Sequence, residues 1–307
     1  MSATATTIPV RTRLSQSAAT YRFELIALSG IALLIMTFLA LGRVSPAELA
    51  SVWFMPFLGI VAATVAMSTP AGGGIVFFPT LVLLGVAPVN AVAFSVATQT
   101  FGMGIFGTFN WSRKAPEAIL KPAVVLVALG GWVGVLLALF VFPLTSARAV
   151  RLLFSTFGLC LALYIVWSAR KDLHVNQIPF RLRGWMIPTL FLVGIIGGML
   201  TGYIGVGIDV LIFVALTWLY RTHVQHATVT SIVTMGVTSA LPFIFALFYL
   251  DTLPLNLWLM VLPGVLLGAR IGPWLNTRLG SERVMLFFSL LLILEFCMTF
   301  TKLVLLY

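Results

Sequence analysis

Charged residues are scarce in this chain: eight acids and 18 lysines and arginines, 8% of 307 residues. A water-soluble domain carries about 25% charged residues, so the scarcity excludes an ordinary soluble fold. Cysteine is scarcer still. Cys160 and Cys297 both sit in apolar stretches, which points to packing within helices and away from a disulfide framework. No phosphate loop occurs, which disfavours direct ATP drive, and no His-Glu-x-x-His, Gly-x-Ser-x-Gly or paired carboxylate marks an enzyme. His174, His223 and His226 lie in loops or at helix ends with no third ligand nearby, so neither a metal nor another cofactor is expected.

What the chain does contain is apolar: 61% hydrophobic residues and a mean hydropathy of +1.12. A membrane span takes about 20 apolar residues. Candidate stretches run over 25–41, 52–84, 89–111, 122–142, 152–167, 185–219, 224–250, 255–275 and 284–306. This predicts an all-α, polytopic membrane protein, multi-pass in the cell inner membrane. The net charge of +10 does not indicate nucleic acid, because Arg11, Arg13, Arg22, Arg113, Lys114, Lys121, Arg170, Lys171, Arg181 and Arg183 all flank spans. Arg270, at a helix end, is expected to snorkel to the cytoplasmic interface. Most of the eight tryptophans fall near span ends, as an aromatic belt requires.

Two stretches are broken by glycine. Gly72-Gly73-Gly74 interrupts 52–84, and Gly205-Val206-Gly207 interrupts 185–219. Such breaks are costly at membrane depth unless they line something polar. Corresponding breaks in two halves point to a secondary transporter's substrate site. The basic residues indicate how these segments cross. With one crossing each, the positive loops divide almost evenly between the two sides. If each segment turns back at its glycines, the tail, the 113–121 loop, the 170–183 loop, Arg221 and Arg270, Arg278 and Arg283 all become cytoplasmic. The first hairpin then enters from outside and the second from the cytoplasm, so the halves are inverted repeats.

Internal matches point the same way. Ala91–Thr98 aligns with Ala227–Thr234, and Gly130-x3-Gly134 with Gly264-x3-Gly268, in the same order in both halves. The expected organisation is a cytoplasmic tail over 1–22, an extra transmembrane helix over 23–43, repeat 1 over 52–169 and repeat 2 over 184–306.

The run Gly-Gly-Gly-x4-Pro-x2-Val-x2-Gly-Val-x-Pro-x2-Ala-Val-Ala-x-Ser, Gly72 to Ser95, resembles the sulfite exporter TauE/SafE family. So does the Gly-x3-Gly helix followed by a short basic turn, Gly264 to Arg283. The second half departs from the family's commonest Gly-x-Gly-Gly-Gly form, with Gly205-Val206-Gly207-Ile208-Asp209 in its place. The resemblance implies export of sulfite or of small organosulfur anions such as sulfoacetate or thiosulfate. An anion channel, and an uptake transporter for another small anion, remain open alternatives. The expected partners are the small anion and membrane lipid, with no nucleic acid; a homo-oligomer is left open.

An anion at the midplane needs donors without a large standing charge. Half-helix N-termini after Gly72, Gly73 and Gly74 and after Gly205 and Gly207 supply free N–H groups. Close helix packing would equally employ these glycines. Ser95 and Thr98 share one helix face, as do Ser231 and Thr234, and Gln99 and Thr100 follow on the same helix. These hydroxyls can donate to sulfonate or sulfite oxygens, or bond their own i−4 carbonyls. Asp209, an intramembrane carboxylate, is either a proton-coupling group or a helix cap. Glu295 is expected to pair with a polar neighbour.

Overall fold

The computed structural model describes residues 10–144, 146–170 and 180–305. Lys171, His174 and the tail before Val10 lie outside the described residues. Eight helices are long and apolar enough to cross a membrane, which makes this an all-helical, multi-pass membrane protein.

Helix α1 (Val10–Ala40) precedes the broken region, and a short helix, α2 (Pro46–Ser51), leads into it. A capping box opens α2: Ser45 N–H donates to the Glu48 carboxylate (2.7 Å) and the Ser45 hydroxyl accepts from Glu48 N–H (3.2 Å). The bonds from Ser45, backbone first, hold the Glu48 carboxyl below its ordinary range. The first broken stretch becomes α3 (Met55–Ser68) and α4 (Gly74–Leu83). Next, α5 (Pro88–Gln99) runs through a π-helical stretch, Thr100–Gly107, into α6 (Thr108–Lys114). Helices α7 (Lys121–Leu136) and α8 (Ala147–Arg170) complete the first half. The second half holds α9 (Met186–Ile204), α10 (Ile208–Val214) with a π-helical extension Ala215–Leu219, α11 (Val224–Phe248), α12 (Leu255–Leu279) and α13 (Ser281–Leu305). The two broken stretches are unequal, since α3 has 14 residues and α9 has 19.

The packing exchanges partners between the halves. Helix α3 lies along α12, and its counterpart α9 lies along α7. Glycine makes both contacts close. A Cβ on Gly264 or Gly268 would strike the backbone of Pro56 or Ile60, and one on Gly130 or Gly134 the backbone of Phe191 or Ile195. The two aligned Gly-x3-Gly motifs therefore perform one task twice. The remaining pairs, α8 with α13 and α5 with α11, join like elements of the two halves. Two related units about a twofold axis produce this pattern, so it supports the two-repeat reading.

The sense of these pairs bears on the broken stretches. Along α5, α6 and the loop after them, Thr100 bonds Ser239 (3.1 Å), Gly104 abuts Gly236, and the carbonyl of Ala118 accepts from Thr230 (3.1 Å). Rising numbers on one side thus meet falling numbers on the other. Helices α8 and α13 are likewise antiparallel, through Ser155–Glu295 (2.9 Å) and Gly158 against Leu292. A single crossing by each broken stretch would make both pairs parallel. Of the two broken stretches only α9–α10 lies between the members of these pairs, so their antiparallel sense accords with a second stretch that turns back at its glycines.

Helix α1 is tied to the second half at its middle and just past its end. Arg43 Nη2 meets Asp251 Oδ1 at 2.6 Å, and Arg270 Nη1 bonds both carboxylate oxygens of Glu24 at 2.8 and 3.0 Å. Arg270, expected at a helix end, stands within α12, where it is half-exposed and pairs with the Glu24 carboxylate of the neighbouring apolar helix. Trp111 and Trp258 also leave the expected belt. Both are buried, and Trp111 Nε1 donates to the Met67 carbonyl (3.2 Å). Cys160 and Cys297 are free and lie on exposed faces of α8 and α13 instead of packing inside. Glu295 accepts from Ser155 (2.9 Å) and Thr299 (2.8 Å), the polar pairing expected of it.

Candidate functional site at the two glycine tips

At the second tip, α9 ends on Gly205 in the left-handed conformation (φ +74), whose N–H closes on Thr201 O at 2.9 Å. Gly207 follows at φ +151, and α10 begins. The first N–H groups of α10 have side-chain partners. Thr201 Oγ1 accepts from Ile208 N–H at 3.2 Å. Asp209 Oδ1 accepts from Gly207 N–H at 2.9 Å and Val210 N–H at 3.0 Å. One oxygen of Asp209 is thus a helix cap. The other, Oδ2, is buried with no hydrogen-bond partner, and no ion pair to Asp209 occurs among the described residues.

The first tip is built differently. Helix α3 ends with its carbonyls held from elsewhere: Trp111 on Met67 O, and Asn276 Nδ2 on Ser68 O at 2.7 Å. Gly72 takes φ +60, and Gly73 starts α4 with no side-chain cap. Val76 and Phe77 N–H both bond Gly73 O (3.0 and 2.9 Å), while those of Gly74 and Ile75 have no bond among the described residues. This is an open half-helix N-terminus.

Gln99 joins the two tips. Its Nε2 donates to Gly205 O at 2.8 Å. A Cβ on Gly74 would lie 3.0 Å from Gly205 O and 3.3 Å from Gln99 Nε2. One on Gly72 would lie 2.5 Å from Asp209 Oδ2 and 2.8 Å from Gln99 Oε1, itself buried without a partner. One on Gly205 would lie 3.2 Å from Ser95 Cβ. The tips meet so closely that side chains are excluded at three glycines. Gly72, Gly74, Ser95, Gln99, Gly205 and Asp209 converge. Gly73 and Gly207 instead face their own hairpins, Gly73 toward Phe77 and Ala66, and Gly207 toward Leu200.

The hydroxyls divide as well. Ser95 Oγ donates to Ala91 O, Ser231 Oγ to Thr228 O and Thr234 Oγ1 to Thr230 O, each at 2.8 Å. These three hydrogens are spent on their own helices in this conformation. Thr98 Oγ1 is buried and unpartnered. Thr100 bonds Val96 O (2.9 Å) as well as Ser239 across the repeats.

Sequence reasoning missed Thr201, Trp111 and Asn276, which brace the tips. Polar groups in apolar helices are the available signal, since each needs a buried partner. What it could not supply is that the partner is a carbonyl or N–H freed by a helix break.

Searches of curated proteins and of solved structures match nothing. A scan of family models matches residues 55–297 to the family described as Sulfite exporter TauE/SafE. That match spans both glycine tips and reaches every helix of the four pairs described above, and the chain belongs to the sulfite exporter TauE/SafE family of membrane transporters.

Proposed function

We propose that this protein is a secondary transporter of the inner membrane that exports small sulfur-containing anions: sulfite, organosulfonates such as sulfoacetate, or thiosulfate. The anion binds near the midplane between the two glycine tips of inverted repeats. The observation that carries the reading is the open N-terminus of α4, whose Gly74 and Ile75 N–H groups lack bonds beside Gly205 and Gln99. A 10-residue half-helix brings the positive end of its dipole to the same point. The unspent polar group of Thr98, one residue before Gln99, adds a further donor on the helix that lines the tips.

Asp209 is the proton-coupling residue in this reading. A charged carboxylate so near an anion repels it, so anion and proton bind and leave together, and the outward anion gradient drives that paired exit against the proton gradient. Without that proton, the inside-negative potential alone favours exit of an anion, by about 2.3 kcal/mol per charge per 100 mV.

The test is a flux panel on purified protein in liposomes, with sulfite, thiosulfate, sulfate, sulfoacetate and taurine. Saturable counterflow with a sulfur oxyanion or organosulfonate is expected. Flux without counterflow would make the protein a channel, and indifference to all five would overturn the substrate class.

A further inference from the structure

Asp209 Oδ2 and Gln99 Oε1 are both buried acceptors without a donor, and both face the space above the Cα of Gly72. A bare carboxylate oxygen and an amide oxygen repel one another, and each unsatisfied group costs about 1–3 kcal/mol. Turning the Gln99 amide over does not remove the conflict. Nε2 is committed to Gly205 O at 2.8 Å, so a flipped amide would set Oε1 against that carbonyl instead. A hydrogen on Oδ2 removes the carboxylate charge and turns one of the two facing acceptors into a donor.

We propose that the two tips are latched by a proton shared between Asp209 and Gln99. The Asp209 O–H donates to Gln99 Oε1 while Gln99 Nε2 donates to Gly205 O. Gln99, from the first repeat, then grips the second tip on both sides. Loading takes one proton from the aqueous phase open to the tips and places it on Oδ2. Unloading returns that proton to water, leaves Asp209 anionic and sets two acceptors against each other, which parts the tips. The inference rests on Asp209 as the proton carrier and adds the partner that converts protonation into contact between repeats. Gln99 is a positioning residue here, and Gly72 leaves the space the shared proton needs.

The surroundings supply no competing charge. Among the elements packed against α10, α9 carries only Tyr203, whose hydroxyl donates to Phe142 O. Helix α11 carries only His226, in its first turn, and α7 only Lys121, its first residue. Helices α4 and α5 and the π-helical extension Ala215–Leu219 carry no titratable side chain. Protonation is thus the available means of neutralising Asp209 in the closed arrangement.

Infrared difference spectroscopy on the full-length protein without any substrate tests this. A pH-dependent carboxyl C=O band is expected that vanishes in Asp209→Asn and moves to the position of a carboxyl without a hydrogen bond in Gln99→Leu. Gln99→Met serves if the Leu variant does not fold. A band unmoved by the Gln99 substitution overturns the latch, as does the absence of any band that depends on Asp209. Loss of the band on adding sodium at constant pH also overturns it, by showing a metal cation in the proton's place. Thermal unfolding gives a second readout. The wild type should lose stability as pH rises and the carboxyl deprotonates, whereas in Asp209→Asn the amide donates to Gln99 Oε1 permanently and this dependence disappears. Equal pH dependence in the two proteins overturns the proposal. Failure of the flux panel leaves the infrared band untouched, so the transport reading and the latch fail separately.

Discussion

At the first tip the chain enters α4 with the N–H groups of Gly74 and Ile75 unbonded and no side chain capping them. At the second, Thr201 and Asp209 take up the N–H groups of Gly207, Ile208 and Val210. The backbone break is of one kind, yet the donors are kept in one half and consumed in the other. A carboxylate at a helix start can do this because one oxygen suffices as a cap, which frees the second for another role. Val76 stands where Asp209 does, two residues past the last tip glycine, and offers nothing of the sort. The difference supports a division of labour, with anion recognition at the open tip and proton handling at the capped one.

Gly72→Ala is the severest way to break this comparison. Its φ of +60 disfavours a side chain by about 1–2 kcal/mol, and the new methyl would lie 2.5 Å from Asp209 Oδ2. Anion flux in liposomes should fall at least about tenfold, the effect of 1.4 kcal/mol, with lowered thermal stability. Gly73→Ala should be mild, since Gly73 has φ −72 and its added methyl meets only the Phe77 ring within 3.5 Å. Equal losses in the two variants would show that the tip is merely tightly packed.

Two substitutions exchange the tips' chemistry. Asp209→Asn keeps the cap, because Asn caps nearly as well as Asp, but fixes the side chain neutral. Proton-gradient-driven flux should collapse about tenfold or more while sulfite binding survives, as 1.4 kcal/mol per decade would predict. Unchanged gradient-driven flux would leave Asp209 a cap and transport a uniport. Val76→Asn supplies the first tip with the cap it lacks. Sulfite affinity, read by calorimetry, should weaken several-fold with folding intact, and undiminished affinity would place the anion away from the N–H groups of Gly74 and Ile75.

Smaller effects follow from the braces. Thr201→Val removes the partner of Ile208 N–H and should cost about 1 kcal/mol, a fall of about 2–4 °C in Tm. No change in Tm would mean that water takes over that N–H group. Cysteine labelling perturbs least of all. Residues 113–121 should label from the cytoplasm and Asp251 from outside, and periplasmic labelling of 113–121 would sink the inverted arrangement.

Much of this was legible in the sequence. The nine apolar stretches all return as helices, and both glycine runs fall at helix breaks. The aligned Gly-x3-Gly pairs were readable as a repeat, but not as the paired contacts α7–α9 and α3–α12, because a motif does not name the helix that meets it. Within the site, Gly72, Gly74, Ser95, Gln99, Gly205 and Asp209 were all among the residues singled out. For Ser95, Ser231 and Thr234 the sequence allows a donor to an anion or a bond to the same helix, and in this conformation each bonds its own helix. Any hydroxyl one turn after a carbonyl has that option, and the sequence does not say which choice prevails.

The sequence by itself determined what depends on neighbours along the chain: membrane helices from apolar runs and breaks from glycine clusters. The tertiary structure decided what depends on atoms brought from afar. Gln99 bonds Gly205 O, Asn276 bonds Ser68 O and Arg270 bonds Glu24, each pair more than 100 residues apart. In an apolar interior a polar group must find its partner wherever the fold places one. One oxygen of Asp209 caps N–H groups of its own neighbours, Gly207 and Val210, whereas Gly72 and Gln99, which face the other, are brought there by the meeting of the tips.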